Sequence, residues 1–184
     1  TKKKNKKKNR EIRIVTLGFV LLFLGLSGYI TYYCATHKQE LINNSYNGRQ
    51  QMLIAQNRRG KILSAQGEIL AQTVEDEEGN EKRQYPYQNL FSHAVGYAVN
   101  GRMGVEAQAN YYLINSSAPL SQKAGLELAG EKYPGDDVYT TLDAELQQAA
   151  YAALGARKGV VIAMEPDTGK ILAIVSKPGY DPNS

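Results

Sequence analysis

Cysteine, tryptophan and histidine are almost missing from these 184 residues, which hold one Cys, no Trp and two His. The lone Cys34 excludes an internal disulfide framework and a cysteine-cluster metal site. His37 and His93 lie far apart, and no glycine-rich phosphate loop is present, so neither a metal nor a cofactor is expected. Positive charge is scarce where a nucleic-acid binder needs it. The formal net charge is +4, yet residues 1–13 hold eight basic side chains against the single Glu11. The rest of the chain carries 14 basic and 17 acidic residues, a slightly acidic body, and no nucleic-acid partner is expected.

What the chain does have is one long apolar run. From Ile14 to Thr36, 23 residues pass without a formal charge, dense in Leu, Ile, Val and Phe. As a helix the run is about 34 Å long, enough to cross a hydrocarbon core of about 30 Å. The Lys/Arg cluster abuts its N-terminal end, which predicts a cytoplasmic N-terminus, a single pass and an extracytoplasmic remainder. Tyr29, Tyr32 and Tyr33 fall at headgroup level at the outer end. Membrane lipid is therefore a partner, anionic headgroups attracting each Lys of the tail by ~1 kcal/mol. No Ala-x-Ala pattern follows the run, which favours an uncleaved anchor over a cleaved signal peptide. Cys34 reads as a membrane-level thiol, because it follows Tyr33 and not the small residue that precedes a lipidated cysteine. Gly18, Gly25 and Gly28 share one helix face, a candidate face for a second transmembrane helix; glycine is also simply common in membrane helices.

Beyond the membrane, residues 37–57 read as a helical or irregular stem. Arg58 to Ala71 pairs two β-prone runs around a link ending in Gly67, a position suited to positive φ in a hairpin. Glu75 to Arg83, around Gly79-Asn80, reads as a solvated charged loop. Met103 to Leu113 has the spacing of a short helix, and residues 115–135, with Pro119, Gly125, Gly130 and Pro134-Gly135, read as an irregular connector with at most one strand. Val138 to Leu142 is a strand pattern. Asp143 or Thr141 can cap a helix running through Leu146, Ala149, Ala150 and Leu154, with Gly155 near its end. Val160–Met164 and Ile171–Val175 are apolar strands joined by a Pro-Asp-Thr-Gly turn. Their near-continuous hydrophobicity predicts cover on both faces, so further chain is expected to pack on them.

These residues resemble the amino-terminal half of class B penicillin-binding proteins. The stations are the basic tail and anchor, then Asn57-Arg58-Arg59-Gly60-Lys61-Ile62 with Gly67, Tyr85-Pro86, Ala94-Val95-Gly96-Tyr97 and Gly104-Val105-Glu106. Thr141-Leu142-Asp143-Ala144-Glu145-Leu146-Gln147 follows, and last Glu165 to Ala173 with Gly169, Ser176-Lys177-Pro178 and Asp181-Pro182-Asn183. Each station is weak alone; their order and spacing are specific. One departure is visible: Ser64-Ala65 stands where the family usually carries Asp-Arg before the hairpin glycine, which leaves the polar anchoring of that hairpin open.

The resemblance implies an α+β chain: a cytoplasmic tail (1–13), a transmembrane helix (14–36), a stem and elongated, dimerisation-type pedestal domain (37–135), and the first strand, helix and hairpin of a serine β-lactamase/transpeptidase-like domain (136–184). Arg59, Gly60, Gly67, Gly96, Tyr97, Glu106, Asp143, Gln147 and Gly169 are its structural motif positions. It also implies a peptidoglycan D,D-transpeptidase, in which a serine attacks the D-Ala-D-Ala end of a stem peptide and an amine from a neighbouring stem releases the acyl-enzyme. β-Lactams would acylate the same serine, and a polytopic peptidoglycan polymerase would dock on the anchor and pedestal. That chemistry requires Ser-x-x-Lys, Ser-x-Asn and Lys-[Ser/Thr]-Gly. No serine here has Lys three residues on, and no lysine is followed by Thr-Gly or Ser-Gly. Ser45-Tyr46-Asn47 matches the second motif in letters only. No catalytic residue is therefore expected within these residues, and the alternatives are a non-enzymatic cell-wall scaffold or a penicillin sensor on the same frame.

Overall fold

The structure is a computed structural model describing residues 2–37, 48–99 and 101–184, with side chains from residue 10 onward except those of residues 48 and 49. Residues 38–47 of the expected stem, with Ser45-Tyr46-Asn47, lie outside the described residues. The chain divides into two units, Thr1–Ser45 and Tyr46–Ser184.

The first unit is built on helix α1 (Lys2–Thr36), within which Arg10–Thr36 is long and apolar enough to cross a membrane. Tyr29, Tyr33 and His37 stack at i, i+4 steps along its C-terminal end. A Cβ at Gly18, Gly25 or Gly28 would meet nothing within 4 Å, so this face of the helix is open.

The second unit begins with α2 (Gly48–Gln56). Two-residue strands β1 (Asn57–Arg58) and β5 (Tyr133–Pro134) pair in parallel. A four-stranded sheet of order β4-β3-β2-β6 contains β2 (Ile62–Leu63), β3 (Ile69–Glu75), β4 (Glu81–Gln84) and β6 (Val138–Tyr139). The expected hairpin is present: β2 and β3 are antiparallel, and Gly67 turns the link at φ +89°. The strand at Val138 pairs in parallel with β2 and forms an edge of this sheet.

Three local expectations need correction. The charged stretch from Glu75 to Arg83 is not simply a loop, because β3 runs on to Glu75 and pairs with β4, leaving Asp76 to Asn80 as the turn. Asp76 Oδ1 accepts from the Glu78 and Asn80 amides and fixes that turn. The connector at 115–135 contains helix α6 (Leu120–Ala129), which starts after Pro119 and is stopped by Gly130 in the left-handed region. Pro and Gly there are the two ends of a helix and not the breakers of one. The helix at 103–113 is two short ones, α4 (Gly104–Gln108) and α5 (Asn110–Ile114).

A 3-10 turn (Gln88–Leu90) and α3 (Ser92–Val95) lead from the sheet to α4. Helix α7 (Ala144–Leu154) is capped by Asp143, whose Oδ1 accepts from the Leu146 amide at 2.8 Å. The hairpin β7 (Gly159–Met164) and β8 (Ile171–Lys177) follows, with Val161 opposite Val175 and Ala163 opposite Ala173. These residues face inward: Ala173 and Val175 are buried. The other face is open, with Val160, Ile162 and Met164 about three-fifths exposed. One hydrophobic core joins the β2–β3 hairpin, α3, α5 and the start of α7. Ile62, Leu70, Ala71, Tyr85, Phe91, Val95, Leu113, Leu142 and Ala144 form a single cluster, against which Ile174 packs. Each such large apolar side chain contributes about 1.5–3 kcal/mol on burial.

Candidate functional site

The polar centre of the second unit is Glu106, which is fully buried. A buried carboxylate needs opposite charge and several donors, and here two arginines supply them. Arg59 Nε and Nη2 donate to Glu106 Oε2 at 2.8 and 2.6 Å, and Nη2 also reaches the Glu106 carbonyl at 2.9 Å. Arg83 Nε donates to Oε1 at 2.8 Å, and the Tyr85 hydroxyl to the same oxygen at 3.3 Å. Arg83 Nη1 donates to the Gly60 carbonyl at 2.7 Å and to Thr73 Oγ1 at 3.1 Å. Its Nη2 has no partner among the described residues, a desolvation penalty of about 1–3 kcal/mol. Burial is the main reason that Arg59 lies below the ordinary arginine value; Glu106 opposes the shift, while Arg83 and Arg102 add to it. Burial, and then the Glu106 carboxylate, push the Tyr85 phenol well up.

Sequence reasoning singled out Arg59 and Glu106 and missed Arg83. Arg102, Asn110 and Asn183 were also missed as site residues, and nothing in their local sequence marks them.

Glycines let the backbone close around this cluster. A Cβ on Gly60 would sit inside the carbonyl of Asp136, and one on Gly96, at φ +83°, inside that of Met103. Tyr97 meets Tyr180 edge-on at 6.0 Å. Gly169 lies away from the cluster, in the β7–β8 turn at φ +72°, where its amide donates to the Glu165 carbonyl.

Ser64 settles the question left by the missing Asp-Arg pair. It is buried, and its hydroxyl accepts from the amides of Gln66 and Glu68 at 3.2 and 3.0 Å. The hairpin tip is then tied to α7: Ala65 N donates to the Leu142 carbonyl, and Gln66 Nε2 to Asp143 Oδ2 at 2.7 Å.

Two carboxamides complete this seam. Gln147, fully buried, donates from Nε2 to the carbonyls of Ile174 (2.6 Å) and Leu90 (2.8 Å), and its Oε1 accepts from the Ile174 amide at 2.8 Å. Asn183 does the same to Tyr85, accepting from its amide at 2.9 Å and donating to its carbonyl at 3.1 Å. Each side chain thus pairs with both backbone groups of one residue, as a neighbouring strand does. Tyr180 adds a 2.6 Å bond to the Ser92 carbonyl, and Asn89 one of 3.2 Å to the Tyr151 hydroxyl.

Residues 59–138, which contain the whole arginine–glutamate cluster, match the family described as the penicillin binding protein A dimerisation domain. The chain is 36% identical over 134 residues to the peptidoglycan D,D-transpeptidase PbpA of Mycobacterium tuberculosis, covering 68% of this chain and 27% of that protein. It is 34% identical over 128 residues to the peptidoglycan D,D-transpeptidase MrdA of Acinetobacter baumannii, covering 55% of this chain and 19% of the relative. The solved imipenem acyl-enzyme complex of M. tuberculosis penicillin-binding protein A superposes with a TM-score of 0.60 at 31% identity, over 70% of this chain and 31% of that one.

The chain belongs to the class B penicillin-binding proteins.

It spans about a fifth to a quarter of the length of the curated relatives it matches. As a member of this family it pairs an N-terminal helix fit for a membrane with an α+β body homologous to D,D-transpeptidases. Among the described residues, no group of three or more His, Cys, Asp or Glu is placed to hold a metal ion.

Proposed function

We propose that this chain is the membrane anchor and pedestal of a peptidoglycan D,D-transpeptidase that cross-links stem peptides through a serine acyl-enzyme, with the catalytic serine outside these residues. The observation that carries the reading is the seam. Pedestal residues Tyr85, Leu90 and Ser92 are bonded side chain to backbone by Asn183, Gln147 and Tyr180, in a chain homologous along this stretch to named transpeptidases. A pedestal needs this property: the part that follows residue 136 is held on it at a fixed angle. In this reading residues 37–135 are stem and pedestal and residues 136–184 open the catalytic domain. The N-terminus is cytoplasmic, and the glycine face of Gly18, Gly25 and Gly28 takes a helix of a polytopic glycan polymerase.

The test is to express the open reading frame that contains this chain and treat its membranes with a fluorescent penicillin. A covalent label at the protein's mass, lost when the serine of a Ser-x-x-Lys motif is replaced by alanine, supports the enzyme. An unlabelled protein with no such motif refutes it and leaves a scaffold. Protease added outside intact spheroplasts should digest residues 46–184 and spare the Lys-rich tail.

A further inference from the structure

Arg59, Arg83 and Arg102 line one cavity of about 310 Å³, together with Thr73 and the apolar side chains Ile54 and Val99. Their charge is not balanced. Arg59 and Arg83 share the one buried carboxylate, Glu106. Among the described residues Arg102 bonds to neutral amides, Asn110 Oδ1 and Gln50 Oε1, each at 2.8 Å. Three guanidiniums against one carboxylate leave two positive charges in a half-buried wall. Glu81 reaches the rim, but it is held by Lys132 at 2.8 Å. Donors are also left over: among the described residues Arg83 Nη2 is buried without a partner, and the bonds of Arg102 use only its two terminal nitrogens. Guanidinium N–H groups in excess of their acceptors are what carboxylate and phosphate oxygens select, and apolar side chains beside them fit a short carbon body.

We propose that this cavity is a binding site for an oxyanion, a phosphate or carboxylate group on a short carbon body, held chiefly by Arg102. The site lies in the pedestal and is independent of whether the parent protein is a transpeptidase. A soluble organic anion and a lipid headgroup share this chemistry, so the experiment separates them. The full chain is placed in nanodiscs of zwitterionic phosphatidylcholine, and thermal unfolding is followed by tyrosine circular dichroism while glycerol phosphate is titrated at constant ionic strength. A saturable rise is expected, about 4 °C at tenfold excess over Kd. R102Q, which removes the charge from a half-buried side chain and leaves Arg59 and Arg83 in place, should abolish it, while K158Q on the exposed surface should not. Calorimetric titration of the unaltered chain gives a second readout should R102Q unfold. If nanodiscs containing phosphatidylglycerol raise the midpoint without added ligand, and glycerol phosphate then adds nothing, the source is a headgroup. If only the soluble probe acts, it is a free anion. No saturable heat with the unaltered chain, or an equal shift in R102Q, overturns the proposal.

Discussion

Replacing Glu106 with glutamine tests the central claim about the arginine–glutamate cluster. The change conserves shape but removes the charge, and an amide nitrogen replaces one of two oxygens that now accept from Arg59, Arg83 and Tyr85. Whichever way the amide turns, one arginine faces a donor. Arg83 is only 4% exposed, so water cannot substitute for the lost partner. Breaking a buried pair by removing one partner costs about 3–5 kcal/mol. At roughly 3 °C per kcal/mol for a domain of this size, the midpoint should fall by roughly 9–15 °C. The assay is urea and thermal unfolding of the full chain, followed by tyrosine near-ultraviolet circular dichroism, since the protein has no tryptophan. The urea m-value should stay the same, because the native fold and the exposed area are unchanged. A loss below about 1 kcal/mol would mean that the cluster is solvated in solution and that the burial argument fails. Exchanging the ions together for apolar residues is a different experiment, often neutral or stabilising.

Three further outcomes are expected. N183D keeps the acceptor for the Tyr85 amide and loses the donor to its carbonyl, so it should cost about 1–3 kcal/mol and speed amide exchange at Tyr85. G96A should cost about 3 kcal/mol, because a Cβ there has a disfavoured φ and meets the Met103 carbonyl, while G67A, with similar φ but open space around it, should cost about 1 kcal/mol; denaturant melts compare them. Hydrogen bonding to the Leu146 amide holds the Asp143 carboxyl below the usual aspartate value. The unfolded chain therefore binds the proton first, and the cap's contribution is complete above about pH 4 and lost as pH falls through the folded value. D143N, which still caps, should flatten that part of the stability-against-pH curve.

The elements that sequence made legible are those in which one residue type has one physical job. The apolar run of α1, the cap at Asp143, the turn at Gly67 and the β7–β8 hairpin each carry a local signature, and each is where that signature puts it. Helix α6 was hidden because Pro119 and Gly130 punctuate a helix and a loop alike, and Gly125 in its interior lowers the pattern further. Arg83 was hidden because its charge argued for solvent, and only its partner Glu106, 23 residues on, reverses that. The cavity was not legible at all: Arg59, Arg83 and Arg102 come from a strand end, a second strand and a loop, and only the tertiary fold brings them together.

The two carboxamides of the seam limit what evolution can place there. A side chain that pairs with both an N–H and a C=O must carry a donor and an acceptor side by side, and only Asn and Gln offer that at neutral charge. Of the two lengths, Gln147 spans from a helix to Ile174 and Leu90, while Asn183 reaches Tyr85 from the adjoining backbone. Acidic, aliphatic or hydroxyl replacements each forfeit half of the pairing. Because neither carboxamide titrates, these pairings do not change with acidity.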